Sequence, residues 1–280
     1  MPRKLLSALI AALALAAVLA PTAVAKRGYY LAQHPPTAAP QQGNVLMIHG
    51  GGWKGDLGPE ADQVMTTYIE DTRSWGYTTW NVGYRSGSLS LRDVTSAARR
   101  ILSKNPEEPL CLVGGSAGAQ LALIAAAKLG RDIDCVVDIG GPPDLANPDP
   151  AAPQGNVVVE LARAAFGAIG RLVRLSPMNR IDEIRQPVLV VAPDCDYYTS
   201  YGRQAAFAAA LRRGELYRVT KHVENPLSGL LGGLLGRLGG IFGNFGFSSE
   251  PGVETGHCTV TKTSFDGFRA AERSFLDRNM

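Results

Sequence analysis

The sequence predicts an α/β protein in which helices flank both faces of a mainly parallel sheet. Segments rich in aliphatic and β-branched residues alternate along the chain with segments that repeat apolar residues at helical spacing. Several of the strand segments are continuous apolar runs, which are typical of strands buried on both faces of a sheet. The chain has 280 residues, of which 45% are hydrophobic and 19% charged, and this suits one large globular domain.

The first strand of the domain is expected at 44–48, an apolar run that is followed by three consecutive glycines. Residues 78–84 are rich in β-branched and aromatic side chains, as strands are, and 91–103 places its apolar side chains at helical spacing. The remaining elements follow by the same criteria. The predicted strands are 44–48, 78–84, 109–113, 135–139, 187–192 and 215–221, and the predicted helices are 59–75, 91–103, 117–129, 157–169, 202–212 and 264–278. In such a sheet, functional residues lie in the loops at the carboxyl ends of the strands.

The N-terminus is expected to be a signal peptide, residues 1–25, that is removed. Two basic residues precede an uncharged apolar stretch of 16 residues and an Ala-Val-Ala cleavage site. A retained membrane anchor is the alternative, but 16 apolar residues followed by Pro21 are short for a span. We therefore expect a secreted or otherwise extracytoplasmic protein without a stable membrane span, in which residues 26–43 lead into a domain at 44–280.

Charge and motif content exclude several classes of partner. The formal net charge of the chain is only +3, and two of its basic residues belong to the leader. So small a charge provides no basic field for nucleic acid, and no nucleic-acid partner is expected. The sequence has no Cys-x-x-Cys or histidine-rich spacing, so no metal site is predicted, and no cofactor is expected.

Ser116 is the candidate nucleophile. It occupies the centre of a Gly-x-Ser-x-Gly pattern between a predicted strand and a predicted helix. Glycines at positions 114 and 118 allow strand and helix to approach closely, so that the turn exposes the serine hydroxyl. The alternative is a small residue in a glycine-rich loop, and catalysis requires a base, an orienting acid and an oxyanion hole elsewhere in the chain.

The candidate base is one of four histidines. His34 lies among prolines and is expected in an exposed loop, and His49 ends the first strand of the domain. A base for this fold should follow the last strand, where His222 and His257 compete. We favour His257, because it follows a glycine shortly before the last helix and so suits a projecting loop residue.

The candidate acid follows the strand 187–192, where Asp194 and Asp196 both lie in the turn. We favour Asp196 for orienting the imidazole, and expect Asp194 to shape the turn through hydrogen bonds to the backbone. The "HGGGW" segment supplies the candidate oxyanion hole, in which the N–H groups of Gly51 and Gly52 act with that of Ala117. A phosphate-binding loop is disfavoured there, because the glycines are not followed by Lys-Ser or Lys-Thr.

Four segments, "IHGGGW", "GGSAG", "SPMNRIDEIRQPVLVVAPDCD" and "GHC", together resemble the α/β-hydrolase fold, in particular the carboxylesterases and lipases with an HGGG-type oxyanion loop. The resemblance extends over residues 44–280, and the order Ser116, Asp196, His257 is that of the fold. It implies a serine hydrolase that cleaves carboxylic esters through an acyl-enzyme, and the predicted signal peptide makes this an exported enzyme. Its substrate is expected to be a small-molecule, lipid or polymeric ester. A peptidase or acyltransferase of the same fold, or an inactive hydrolase used for binding, are the alternatives.

Two departures from the family pattern concern the acid and the base. The acid loop reads Ala-Pro-Asp-Cys-Asp where members often have Gly-x-x-Asp, and the 61 residues between Asp196 and His257 are many for the family. Residues 225–249, which contain eight glycines and six leucines, account for much of the excess. This insertion is interpreted either as a mobile low-complexity segment or as an apolar flap over the site.

The four cysteines, Cys111, Cys135, Cys195 and Cys258, allow two disulfides in an oxidising compartment. Cys195 and Cys258 are direct neighbours of the candidate acid and base, so a bond between them is predicted to join the two loops. Cys111 and Cys135 each lie in a predicted strand, and these two either pair or remain as buried thiols.

Overall fold

A computed structural model of the chain describes residues 22–23, 28–58, 60–220, 252–254 and 257–280. Apart from 22–23, the predicted signal peptide lies outside the described residues. The same holds for His222 and for the glycine- and leucine-rich segment 225–249.

A sheet of eight strands forms the centre of the described part of the molecule. In chain order these strands are β1 (Thr22–Ala23), β2 (Tyr30–His34), β3 (Asn44–Ile48), β4 (Thr78–Gly83), β5 (Leu110–Gly115), β6 (Cys135–Ile139), β7 (Val188–Pro193) and β8 (Gly214–Val219). Their spatial order is β1-β2-β4-β3-β5-β6-β7-β8. The six strands from β4 to β8 in that order run parallel to one another. At one edge of the sheet, β2 pairs antiparallel with β4, and β1 pairs antiparallel with β2.

The described residues also form seven α-helices and a small hairpin. The helices are α1 (Glu60–Ser74), α2 (Ser90–Lys104), α3 (Ala117–Leu129), α4 (Gly155–Phe166), α5 (Ile169–Leu175), α6 (Tyr201–Ala210) and α7 (Lys262–Asn279). The hairpin pairs β9 (Gly252–Glu254) with β10 (Thr259–Thr261) in antiparallel fashion. Within the described ranges, no helix has both the length and the apolar character needed to cross a membrane.

The helices bury both faces of the sheet, as the continuous apolar strands predict. Side chains alternate along β3, so that Leu46 and Ile48 pack with α2 and α3 while Val45 and Met47 pack with α1 and α7. All five residues of β3 are buried. Side chains that can meet a ligand are therefore expected at the ends of the strands.

Two expectations about local structure were wrong. Residues 157–169 were expected to form one helix, but α4 ends at Phe166 and α5 begins at Ile169, because Gly167 has a φ of +83° and stops the first helix. His34 was expected in an exposed loop, yet it ends β2, which pairs antiparallel with β4, and only 8% of its surface is exposed. The segment 30–34 is too short and too mixed in composition for its strand pairing to be visible in the sequence.

Candidate active site

Ser116 lies at a sharp junction between β5 and α3. Its φ of +54° places it in a backbone region that a non-glycine residue rarely adopts. Its N–H donates to the Ile139 carbonyl at 2.8 Å, which ties the junction to β6. A Cβ atom at Gly118 would lie 2.1 Å from the Ile48 carbonyl oxygen, so only glycine allows α3 to begin this close to β3.

His257 and Asp196 extend a series of hydrogen bonds from this serine. His257 Nε2 lies 2.8 Å from Ser116 Oγ, and His257 Nδ1 lies 2.8 Å from Asp196 Oδ2. Both residues are buried, with 8% and 4% of their surfaces exposed. A carboxylate accepts only, so the geometry fits a neutral imidazole that carries its proton on Nδ1 and accepts the serine proton at Nε2.

The acid loop distinguishes between the two candidate carboxylates. Asp196 Oδ1 accepts the N–H groups of Tyr198 and Thr199 at 2.8 and 3.0 Å, so the carboxylate is fixed while its other oxygen contacts the imidazole. Asp194 was expected to bond to backbone groups of the turn, but its carboxylate accepts from Arg218 Nε at 2.8 Å in a more exposed ion pair. The structure therefore brings Asp196 into contact with His257, and leaves Asp194 outside this series.

The described residues contain two disulfides, and one of them joins the loops of the site. Cys195 bonds to Cys258 with a Cα–Cα distance of 5.8 Å, and so connects the residues that adjoin Asp196 and His257. Cys111 bonds to Cys135 with a Cα–Cα distance of 4.6 Å, across directly paired positions of β5 and β6. No cysteine of the chain is free.

The loop 49–53 is held by two side chains that sequence reasoning assigned no role. The Tyr84 hydroxyl donates to the carbonyls of His49 and Gly50 at 2.8 and 3.0 Å, and His49 Nδ1 contacts the Gly50 carbonyl at 2.9 Å. The two rings stack with centroids 4.2 Å apart. Burial lowers the pKa of His49, which keeps this imidazole neutral and able to donate from Nδ1.

These contacts orient the peptide that follows Gly50. A trans peptide is planar, so its N–H points opposite to its carbonyl. With the Gly50 carbonyl fixed against Tyr84 and His49, the Gly51 N–H points away from both. Gly50 lines the cavity beside Ser116, whereas a Cβ at Gly52 would contact Leu161. Tyr84 follows β4 directly, so its position at the carboxyl end of a strand was a usable signal.

A narrow apolar cavity opens beside Ser116 and His257. Its volume is about 40 Å³. One water occupies about 10–15 Å³ on this measure, so the cavity has room for about three water-sized groups. Most of its wall is aliphatic or aromatic, and includes Met65, Tyr68, Val191, Val219, Val260 and Phe268.

The described residues contain no cluster of three or more histidine, cysteine, aspartate or glutamate side chains arranged to hold a metal ion.

Several esterases of known structure share the fold of this chain. An esterase structure from Rhizomucor miehei superposes with a TM-score of 0.66 at 16% identity, over 93% of this chain and 82% of that one. The Pyrococcus furiosus esterase PF2001 superposes with a TM-score of 0.58 at 13% identity, over 94% of this chain and 92% of that one. Carboxyl esterase 2 of Tuber melanosporum gives 0.58 at 17% identity over 71% and 75%. At sequence identities this low, the superpositions show a shared fold.

The family follows from the sequence itself. The BD-FAE family model matches residues 32–211, which is more than half of the chain. The protein therefore belongs to the BD-FAE family. A curated relative, the FAD-linked oxidoreductase pytB of Aspergillus terreus, is 35% identical over 100 residues. That match covers 34% of this chain and 12% of the relative, so the chain spans about one eighth of that protein.

The Cys195–Cys258 bond is expected to hold the acid and base loops together. Replacing both cysteines with alanine should lower the free energy of unfolding by about 2–4 kcal/mol, because the bond closes a long loop in the unfolded chain. Amide hydrogen exchange in residues 194–199 and 257–260 should also accelerate. The matched control, Cys111→Ala with Cys135→Ala, should leave exchange in those two loops unchanged. Unchanged exchange in the first variant, or a different partner for Cys195 in a non-reducing peptide map, would contradict this.

Proposed function

We propose that this protein is an exported serine hydrolase that cleaves carboxylic esters through an acyl-enzyme formed on Ser116. The observation that carries the proposal is the series Ser116 Oγ, His257 and Asp196, joined by two contacts of 2.8 Å. This arrangement suits a nucleophile, a general base and an orienting carboxylate. The named esterases of the same fold are consistent with this reaction.

In the proposed mechanism, His257 takes the hydroxyl proton as Ser116 attacks the acyl carbon. Asp196 keeps the imidazole in the required tautomer and stabilises its positive charge. His257 then gives the proton to the departing alcohol, which leaves the acyl group on Ser116. A water molecule, deprotonated by the same imidazole, releases the acid and restores the free serine.

Backbone N–H groups are proposed to stabilise the oxyanion. Ala117 is the first residue of α3, where N–H groups have no partner within the helix. The Gly51 N–H is directed away from Tyr84 and His49, and it is the second donor. Gly52, which follows it in the same loop, is the third candidate. Donors fixed in this way stabilise the transition state without having to reorganise.

The cavity beside Ser116 suggests the acyl side of the substrate. It is lined by apolar side chains and holds only about three water-sized groups, so it suits a short apolar acyl chain. This favours esters of short acids over long-chain lipids. The alcohol is expected to lie on the open side of the site.

Export is proposed from two features of the chain. Its first 25 residues have the layout of a signal peptide. The two disulfides are consistent with an oxidising, extracytoplasmic compartment.

Removing the nucleophile tests the proposal. Ser116→Ala should lower kcat for p-nitrophenyl acetate by roughly 10⁴- to 10⁶-fold, because the acyl-enzyme no longer forms. The melting temperature should not fall, since among the described residues the hydroxyl makes one side-chain contact, with His257. Ser103→Ala, an exposed serine of α2, is the matched control and should retain full activity. An Ser116→Ala variant with activity within ten-fold of the native protein would overturn the mechanism.

Chain length tests the acyl cavity. Among nitrophenyl esters from C2 to C16, kcat/KM should be highest at C2 to C4. Met65→Ala enlarges the cavity, and should raise kcat/KM for C6 and C8 relative to C2 by about ten-fold, as one or two added methylene contacts would. Met178→Ala, on the other face of the sheet, should leave the preference unchanged. A native optimum at C12 to C16 would show that the acyl chain binds elsewhere.

A further inference from the structure

Asp138 is a buried carboxyl group that the proposed reaction does not use. It lies near the carboxyl end of β6 and is fully buried. Its Oδ1 accepts the Gly141 N–H at 2.7 Å. Its Oδ2 is buried with no hydrogen-bond partner among the described residues. An unpaired carboxylate oxygen is costly to bury, so its retention at this position requires an explanation.

Asp138 holds the turn 139–141, which lies against Ser116, Asp196 and His257. The Ile139 carbonyl accepts the Ser116 N–H. Gly140 has a φ of +62°, and a Cβ there would lie 3.2 Å from both Asp196 Oδ2 and His257 Nδ1. The Gly141 end of the turn is the part bound by the Asp138 carboxyl. This carboxyl is therefore placed behind the Asp196–His257 pair.

We propose that Asp138 is a positioning residue whose carboxylate, when ionised, adds a second negative charge behind His257 and stabilises the imidazolium formed during ester cleavage. This inference rests on the proposed function. The charge acts through the imidazole, since Asp138 touches neither the substrate nor the serine hydroxyl.

The protonation state of Asp138 then matters near neutral pH. Burial is the main cause that raises the pKa of Asp138 to about 7. The hydrogen bond from the Gly141 N–H lowers this pKa, the negative charge of Asp196 raises it, and the charge of His257 lowers it. Among the described residues, Asp196 and His257 are the titratable side chains whose charges shift the pKa of Asp138. At pH values well below this pKa the carboxyl is neutral and adds no charge behind His257. Above pH 7 the ionised carboxyl makes His257 a stronger base.

Asp138→Asn separates the charge from the hydrogen bond, because the amide oxygen still accepts the Gly141 N–H. In profiles of kcat and kcat/KM for p-nitrophenyl acetate from pH 5 to 9, the variant should match the native protein at pH 5 to 6. The rate of the variant should level off about one pH unit lower than that of the native protein, at a value about ten-fold smaller. Both changes correspond to a pKa of His257 that is about one unit lower without the second negative charge. KM should change little. Asp132→Asn, an exposed aspartate on the amino side of β6, should show the native profile.

A purely structural role predicts a different result. Asp138→Asn would then show the native profile, and Asp138→Ala, which also loses the hydrogen bond, would lower kcat equally at every pH. Either result overturns the proposal. Native protein labelled with ¹³C-aspartate gives an independent test, since no carboxyl signal titrating between pH 6 and 8 would also overturn it. Ser116→Ala is measured in parallel: if it is inactive, failure of the Asp138 test leaves the proposed function standing.

Discussion

The backbone of Ser116, held at positive φ between β5 and α3, is the constraint on which the site depends. Such a conformation costs on the order of 1–3 kcal/mol, and the surrounding structure must maintain it. The hydrogen bond from Ser116 to Ile139 and the close approach of α3 to β3 at Gly118 do so. Because the strain lies at the end of a buried parallel strand, the hydroxyl projects from a rigid sheet.

The partners of Ser116 reach it from distant parts of the chain. Asp196 follows β7 and His257 precedes β10, so the two are 61 residues apart in the sequence. The disulfide between their neighbours Cys195 and Cys258 holds them close together in space. Hydrogen bonds also fix the Asp196 carboxylate and the Gly50 carbonyl. Asp196 accepts two backbone N–H groups and the Gly50 carbonyl accepts from Tyr84 and His49. Fixed dipoles of this kind are what a charge-forming reaction requires.

Most of the sheet was predictable because apolar runs and glycine-marked turns are local signals. The strands β3 and β6 and the helix α3 begin and end at their predicted residues. Strand β2 was missed because its pairing with β4 is a tertiary effect, and the break at Gly167 was overlooked within an apolar run. The proximity of the candidate residues Ser116, Asp196 and His257 could be predicted from their order after strands. The contacts of Tyr84 and Asp138 could not be predicted, since they depend on which backbone groups the fold brings to these side chains.

The central claim is that Ser116 becomes covalently acylated. The most direct measurement is peptide mass spectrometry of the full chain after incubation with a fluorophosphonate, which mimics the acyl transition state and remains attached to an activated serine. One adduct per molecule on Ser116, blocked by excess p-nitrophenyl acetate and abolished by heat denaturation, is the predicted result. An adduct on another residue, or a Ser116 that remains unlabelled in folded protein, would contradict the account.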